Sequence, residues 1–451
     1  RHERAADPLM GQVLSERIDH VLGLDPAASA IQFEGEWFTW GQVATSARQI
    51  AEVSGRGPVG IMLRNEPVHV AALLGVLAAG GTVVVINPSR GDERTRADVE
   101  ALQLPVIIGL HTDLAAVIPP SSMATRVAIR DLATAPEVTP GAASDDPGRP
   151  RVAVWMLTSG TTGPPKRVDL TYDMLARSVI GTDPETSSAP AELRQGVAIV
   201  NSPLVHIGGV FRVLLCIAEA RPFVLLRRFE LDRWAAAVRE HRPRAVSLVP
   251  AALRMVLHSD LTRDDLAGVR AVTSGTAPLS ANDADAFTEK FGIPVLTSYA
   301  ATEFGGGVAG WTLADHQKHW RDKRGSVGRA NPGARLRVVD HNGNPQDTGQ
   351  QGLLEVIPAQ MDSTSGWMRT TDLARIDADG FVWIVGRADQ AMLAAGQRIR
   401  LPADREELLA FLQKRLARYE IPTEIAVTEA IPRTPSGKPD LRAVRTHFAQ
   451  P

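Results

Sequence analysis

The feature that most constrains this chain is a series of short apolar runs, each followed by a turn and a longer amphipathic stretch. The runs have the length of buried strands, and the stretches between them are long enough for helices. This alternation predicts parallel strands joined by helical crossovers, and therefore an α/β fold. The runs lie at residues 197–200, 222–226, 245–249, 269–273 and 295–298.

Polar residues cluster where several of these predicted strands end. The segments concerned are 202–206, 274–278 and 299–303. Ligands of parallel sheets bind outside the carboxyl ends of the strands, so we expect a binding site at these exits. We assign cofactor binding to Ser274, Gly275 and Thr276 at the second of them.

The rest of the chain indicates a large domain and a small one. The apolar run 70–86 is divided by Gly80 and Gly81, which predicts a buried helix, a turn and a strand rather than a membrane span. Beyond about residue 325 short β runs with glycine turns predict a β-rich subdomain at 326–386. The fold class we predict is α/β: a large N-terminal domain of doubly wound sheets at residues 1–386, and a small mobile α+β lid at 387–451.

Composition narrows the function classes and the cellular context. The 451 residues include 49 basic and 51 acidic residues mixed along the chain, which argues against a nucleic-acid or membrane-surface partner. The single cysteine, Cys216, lies in an apolar run, so we expect a buried thiol. The first residues lack the pattern of a secretory signal, so we expect a cytoplasmic protein.

Two further segments carry minor expectations. Residues 133–150 are rich in Pro, Gly, Ala and Asp, and we read them as a linker or loop. His316 and His319 have the spacing of one helix face beside Asp315, and we expect that face to be solvated rather than to bind a metal.

A strand-like segment at 152–157 runs directly into a loop suited to phosphate. Glycines let backbone N–H groups converge on an anion, hydroxyls donate to phosphate oxygens, and a lysine adds charge. The common NTPase loop is excluded because Pro165 stands where that pattern requires glycine. A flexible surface loop is the alternative for such a stretch taken alone. The predicted nucleotide-binding residues are Thr158, Ser159, Gly160, Thr161, Thr162, Gly163 and Lys166.

Five segments in order resemble the motifs of the adenylate-forming superfamily, which comprises acyl-CoA synthetases, peptide-synthetase adenylation domains and luciferases. They are residues 158–166, 298–303, 369–372, 386–389 and 432–438. Among its branches the chain resembles fatty- or aryl-acid CoA ligases most. Thr371 is a mild departure, since the family pattern usually has glycine before Asp372.

The resemblance implies roles for residues of the nucleotide site. Tyr299 resembles the aromatic residue that packs against adenine, and Thr302 a hydrogen-bonding group for phosphate or carboxylate. Glu303 resembles the Mg²⁺ ligand, a hard oxygen donor for a hard cation. Asp372 resembles the carboxylate that binds the ribose diol, and Arg387 a second ribose or phosphate contact.

The resemblance also implies a catalytic lysine, a hinge and an acyl pocket. Lys438 resembles the lysine that stabilises charge during adenylation, and Asp389 resembles the hinge about which the small domain rotates. His206 resembles the histidine at the mouth of the acyl pocket, although a core histidine is an open alternative. The remaining residues assigned to the pocket, which leave room for a bulky acyl group, are Gly208, Gly209, Ala300 and Gly305.

The function implied is an acid–CoA ligase that uses ATP, Mg²⁺ and CoA. A carboxylic acid is first converted to acyl-AMP with release of pyrophosphate, and CoA then takes the acyl group. Two alternatives are a stand-alone adenylation enzyme that loads a carrier protein or an amine, and a non-catalytic acyl or nucleotide sensor on the same fold. The acid stays open among fatty, aromatic and sterol-like acids, as does a homo-oligomeric state.

The resemblance weakens after Asp389. The family has a glycine-containing hairpin and an α/β unit there, whereas residues 391–396 pass almost directly into the helix-like segment beginning near Asp404. Either the small domain is shortened or a segment is missing from this sequence between about 391 and 401, and we favour the second explanation. If the loss is real, thioester formation is affected more than adenylation.

Overall fold

The computed structural model describes residues 12–143, 149, 151–158, 166–361 and 365–387. Within these ranges no helix is long and apolar enough to cross a membrane. The helices in chain order are α1 (Val13–Gly23), α2 (Trp40–Ser54), α3 (Pro67–Ala78), α4 (Asp92–Leu102), α5 (His111–Val117), α6 (Tyr172–Val179), α7 (Ile207–Ala218), α8 (Leu231–His241), α9 (Pro250–Leu257), α10 (Ala281–Phe291) and α11 (Leu313–His319).

The strands form four sheets. In chain order they are β1 (Ser29–Phe33), β2 (Glu36–Thr39), β3 (Pro58–Met62), β4 (Thr82–Ile86), β5 (Val106–Leu110), β6 (Thr125–Ile129), β7 (Glu137–Thr139), β8 (Val152–Leu157), β9 (Arg167–Thr171), β10 (Ala198–Val200), β11 (Phe223–Leu225), β12 (Ala245–Ser247), β13 (Ala271–Ser274), β14 (Val295–Ala301), β15 (Gly306–Gly310), β16 (Arg329–Ala330), β17 (Arg335–Val339), β18 (Gln351–Ile357), β19 (Met368–Ile376) and β20 (Val382–Arg387).

The largest sheet has the order β7-β6-β5-β3-β4-β8-β9, and its strands are parallel except for β7 and β9 at the two edges. Every residue of β3 and β4 is buried, as expected for strands covered by helices on both faces. The predicted helix, turn and strand within 70–86 are confirmed as α3 and β4.

The five apolar runs form strands, and the predicted helical crossovers are confirmed. β10 pairs in parallel with β11, and β12, β13 and β14 pair in parallel with one another. Helices α7, α8, α9 and α10 connect these strands in turn. The strands belong to two sheets, because β11 also pairs with β1 of the hairpin β1–β2, far earlier in the chain.

The predicted β-rich texture after residue 325 corresponds to a four-stranded antiparallel sheet, β17-β18-β19-β20. Its apolar side chains pack with Phe304 and Val308 from the turn and strand that follow β14. The sheet therefore lies against the carboxyl end of β14, where the sequence predicts a binding site.

Two minor expectations need correction. The proposed linker at 133–150 contains β7, which pairs with β6 and forms an edge of the largest sheet. His316 is buried rather than solvated, since its ring stacks on Trp320 and meets Trp311 edge-on. Backbone pairing with a strand earlier in the chain decides the first outcome, and the neighbouring tryptophan rings decide the second. Cys216 is buried as expected.

Candidate active site

Thr158 and Lys166 close the base of the predicted phosphate loop. The Thr158 backbone N–H and hydroxyl donate to the Lys166 carbonyl at 2.8 and 3.0 Å. Just below them, Leu157 of β8 pairs with Arg167 of β9. Thr158 and Lys166 therefore lie together at the carboxyl end of β8. Ser159, Gly160, Thr161, Thr162 and Gly163 lie outside the described residues.

An ion pair fixes the strand that follows this loop. The Arg167 guanidinium donates two hydrogen bonds to the carboxylate of Asp98 on α4, both at 2.7 Å, and one to the Val85 carbonyl at 2.9 Å. Both side chains of the pair are only 7% exposed. Bidentate pairing stabilises the two buried charges, although the Arg167 Nε–H has no partner among the described residues, and β9 is thereby held to the layer of α4 and β4.

Tyr299 and Asp372 meet at the junction of β14 and β19. The Tyr299 hydroxyl donates a hydrogen bond to an Asp372 carboxylate oxygen. Burial and the negative charge of Asp372 raise the pKa of Tyr299, so the phenol keeps its proton and remains a donor. The structure thus places an aromatic ring and a carboxylate together, as binding of adenine and ribose requires.

Arg387 lies beside this pair. It is the cross-strand partner of Asp372, and its guanidinium donates to the Thr371 hydroxyl at 2.7 Å. Thr371, the departure from the family pattern, thereby positions the arginine. The Thr370 hydroxyl accepts the Asp372 backbone N–H at 3.0 Å and donates to the Leu354 carbonyl at 2.8 Å, which holds this part of β19 to β18.

Thr302 and Glu303 occupy a 3-10 turn, Thr302–Phe304, that continues β14 and packs against β9. Phe304 anchors the turn in the core. Glu303 is exposed. Within the described ranges neither the Thr302 hydroxyl nor the Glu303 carboxylate has a protein partner. Both groups are free to bind a ligand beside the strand that leaves the phosphate loop.

A single carboxylate fits Mg²⁺ bound through substrate phosphates. Mg²⁺ commonly takes one or two carboxylates and completes its shell with phosphate oxygens and water. The described part of the chain holds no cluster of three or more metal-binding side chains, so an all-protein cage is not formed there. Glu303 is the residue present for that ligand role.

Ser274, Gly275 and Thr276 lead away from the end of β13. Ser274 is 2% exposed, and its hydroxyl has no partner among the described residues. A Cβ atom on Gly275 would lie 2.9 Å from the Ser298 hydroxyl oxygen, so the loop runs close to β14. Thr276 has φ of +69°, an outlier for a β-branched residue. Such strain costs about 1–3 kcal/mol and is typical of functional sites.

The residues assigned to the acyl pocket divide into two groups. His206 precedes α7 and is partly buried, and Gly208 opens the first turn of that helix. A Cβ atom on Gly208 would meet only the Ser202 side chain, at 4.0 Å, so space is open beside it. Ala300 is exposed on β14. Their assignment to the acyl pocket remains a prediction.

Gly209 and Gly305 serve backbone packing instead. A Cβ atom on Gly209 would lie 2.2 Å from the Pro203 carbonyl oxygen, so glycine is needed for the close approach of α7 to the preceding loop. Gly305 is buried with φ of +68°, and its carbonyl accepts the Ser178 hydroxyl at 2.5 Å. Both glycines thus have a packing role of their own, and their assignment to the acyl pocket remains a prediction.

Sequence reasoning missed one charged residue next to this pocket. Arg212 is partly buried on α7, and its guanidinium donates to the Thr273 hydroxyl at 3.1 Å, one residue before Ser274. The available signal was a lone charge inside the apolar helix.

Lys438 and Asp389 lie outside the described residues, as do the shortened region near 391–401 and the proposed lid beyond Arg387. Their assigned roles remain those that the resemblance implies.

Comparison with known proteins decides the family. The sequence profile of the family described as AMP-binding enzyme matches residues 19–361. The chain belongs to this family. The resemblance to the adenylate-forming superfamily is thereby confirmed, and two of the five motifs, 158–166 and 298–303, lie within the matched residues.

The chain is similar over most of its length to acid–CoA ligases. It is 26% identical to indoleacetate–CoA ligase of Aromatoleum aromaticum, covering 94% of this chain and 96% of that protein. It is 28% identical to sulfoacetate–CoA ligase of Cupriavidus necator, covering 90% and 91%. The first alignment spans 504 positions, more than the 451 residues here, so that relative carries stretches with no counterpart in this chain.

The fold agrees with a solved member of the superfamily. The crystal structure of ATP-bound MatB from Rhodopseudomonas palustris superposes with a TM-score of 0.77 at 21% identity, covering 98% of this chain and 99% of that one. The predicted α/β fold class is confirmed.

Proposed function

We propose that this AMP-binding enzyme is an acid–CoA ligase that activates a carboxylic acid as its adenylate and transfers the acyl group to CoA. The single observation that supports it most is the meeting of Tyr299 with Asp372 beside Arg387. An aromatic face, a carboxylate acceptor and a cation in one place match the base, ribose and phosphate of a nucleotide.

In the proposed first step a carboxylate oxygen attacks the α-phosphorus of ATP, and the bond to pyrophosphate breaks. Charge develops on the phosphoryl oxygens, where preorganised donors and cations lower the barrier most. The free Thr302 hydroxyl and the Lys166 ammonium at the loop base serve this purpose. Glu303 would hold Mg²⁺, which would supply positive charge against that of the phosphates. The family resemblance implies that Lys438 supplies a further positive charge to the developing phosphoryl oxygens.

Two observations support CoA as the acyl acceptor. Both relatives named above are CoA ligases, and each aligns over nine tenths or more of this chain. The acids in their names differ widely in size and charge, so they do not fix the acid used here. A homo-oligomer, a mobile two-domain arrangement and cytoplasmic residence belong to the same proposal, and a carrier protein is the alternative acceptor to CoA.

Pyrophosphate release is the direct test. It should be measured with Mg·ATP over a panel of fatty, aromatic and short-chain acids, with and without CoA, and the acyl products identified by mass. Acyl-CoA formation establishes the ligase. Acyl-adenylate without thioester indicates a carrier or amine acceptor, whereas ATP binding without turnover on any acid indicates a sensor.

Glu303→Gln provides the matched test of the site. Loss of the hard oxygen ligand should reduce pyrophosphate release at least about tenfold and raise the Mg²⁺ concentration required. Glu289→Gln, which changes an exposed carboxylate on α10, is the control and should be neutral. Equal effects of the two changes would remove Glu303 from the site.

A further inference from the structure

Arg212 is a partly buried cation without a matching anion. Its one hydrogen bond in the described part of the chain goes to a neutral hydroxyl, Thr273. No carboxylate in that part of the chain lies within ion-pair distance of it, and the thiol of Cys216 one turn along α7 is neutral because burial raises its pKa. A guanidinium taken out of water without a carboxylate is costly, so its retention calls for an explanation.

The guanidinium lies at the proposed acyl site rather than in the core. Arg212 follows Gly208 by four residues on α7, so both lie on one face of the helix, and the space beside Gly208 is open. Thr273, its partner, directly precedes Ser274 at the carboxyl end of β13. Its remaining N–H groups are not among the sealed, unpaired polar atoms, so they retain access to open space.

The distance along the helix sets a scale. Four residues of α-helix span about 6 Å, so the Cα atom of Arg212 lies roughly one turn along α7 from that of Gly208. This spacing suits a short acid whose reacting carboxylate lies near His206 and whose far end faces Arg212.

We propose that Arg212 is a specificity-determining residue that binds a second anionic group on the acid, so that the preferred substrates are short acids with a carboxylate or similar oxyanion at the far end. This inference rests on the proposed ligase function and names its substrate class. Guanidinium pairs with such oxyanions through two parallel hydrogen bonds, and Thr273 holds the fork in orientation.

The test compares matched acids on wild type and two variants. The acids are a series of short α,ω-dicarboxylates, the corresponding monocarboxylates and the monoamides, at mildly alkaline pH where both carboxyls are ionised. Arg212→Met keeps the apolar stem and removes the charge, and Arg212→Lys keeps the charge without the fork. Arg228→Met, which changes an exposed arginine, is the matched control. The kcat/KM for each acid and the KM for ATP are measured for every variant, with Tm as a check of folding.

We expect wild type to prefer a dicarboxylate over its monoamide by roughly 10- to 100-fold, the value of a charged hydrogen bond. Arg212→Met should lose that preference without a change in the KM for ATP, Arg212→Lys should keep part of it, and Arg228→Met should keep all of it. Indifference of wild type to the second charge, or equal losses on all acids with a raised KM for ATP, would overturn the inference.

Failure of the ligase function gives a different result. No acid would then release pyrophosphate from wild type. Titration calorimetry of the same dicarboxylates and monoamides with wild type and Arg212→Met still tests the inference, because it measures recognition of the second anion without turnover. Charge-dependent binding that is lost in Arg212→Met supports the inference, and its absence rejects it.

Discussion

At the residue scale, Tyr299 and Asp372 show how a motif acquires its geometry. Each belongs to a motif that the sequence identifies, but the hydrogen bond between them joins strands 73 residues apart. Because Tyr299 is largely buried and faces a carboxylate, its hydroxyl stays protonated. It therefore orients Asp372 by donating a hydrogen bond and leaves the carboxylate ionised. The free carboxylate oxygen is left for a diol.

Asp372→Asn should therefore weaken nucleotide binding. An amide accepts hydroxyl protons less strongly than a carboxylate, so we expect the KM for ATP to rise at least about tenfold while the KM for the acid changes little. Steady-state kinetics with each substrate varied in turn provide the measurement. Asp347→Asn, at an exposed carboxylate elsewhere in the chain, is the control, and a rise in the acid KM alone would contradict the assignment.

His69 predicts the acid sensitivity of the fold. It is fully buried, and neither ring nitrogen has a partner in the described part of the chain. Burial, only partly opposed by Asp113, lowers its pKa from 6.5 to about 3. Below the ordinary pKa of histidine, His69 is protonated in the unfolded chain but stays neutral in the folded chain. Stability should thus fall by about 1.4 kcal/mol per pH unit as pH drops between those two values.

His69→Leu should remove that dependence. Because neither ring nitrogen makes a hydrogen bond of normal geometry and its contact with the Met62 backbone is weak, an apolar side chain of similar size loses little at neutral pH. Urea unfolding across the acidic range should show a shallower loss of stability in the variant than in wild type. Parallel slopes would show that other groups control the acid response.

The sequence reveals the functional residues that contact a ligand, but not those whose importance comes from contacts within the fold. Motif residues such as Glu303 are visible because ligand chemistry dictates their type and order. Arg212, His69 and Asp98 are not, since their significance comes from partners in distant segments. A lone arginine in the apolar run of α7 is a sequence signal from which a binding role could have been predicted before the structure was known.

At the scale of elements, the buried pair of Arg167 and Asp98 fixes β9 directly after the phosphate loop. Removing one partner leaves an uncompensated charge, so Asp98→Ala should lower the free energy of unfolding by about 3–5 kcal/mol. The double change Asp98→Leu with Arg167→Met should recover most of that loss. Chemical denaturation of the single and double variants gives the coupling.

An exposed pair on α6 is the matched control. Asp173 pairs with Arg177 one turn later, and its side chain is 57% exposed. Asp173→Ala should cost under about 1 kcal/mol, because water screens such a pair. A cost at Asp98 no larger than the cost at Asp173 would show that burial does not govern the pair.

Element type and order were predictable for the parallel strands because local apolar runs and turns encode them. Sheet membership was not. β11 separates from β12 into a different sheet through pairing with β1, and β7 forms inside an apparent linker through pairing with β6. Both outcomes depend on long-range hydrogen bonds that no local pattern reports.

At the scale of the whole molecule, Lys438 is predicted to act in only one of the two half-reactions. Lys438→Ala should cripple pyrophosphate release yet spare thioester formation from supplied acyl-adenylate, because only adenylation develops phosphoryl charge. Both half-reactions are to be assayed separately, with Lys414→Ala as the control from the same part of the chain. Unchanged pyrophosphate release in Lys438→Ala would exclude the role.

The hairpin β1–β2 has a consequence for how the protein is made. β1 lies between β2 and β11, and Ile31 pairs with Phe223. The hairpin leaves the ribosome long before its partner strand is translated, and until then one edge of β1 stays unpaired and open to other chains. Closure of this sheet must wait for β11, so an N-terminal fragment released early is an aggregation hazard, and chaperones that cover strand edges should bind it.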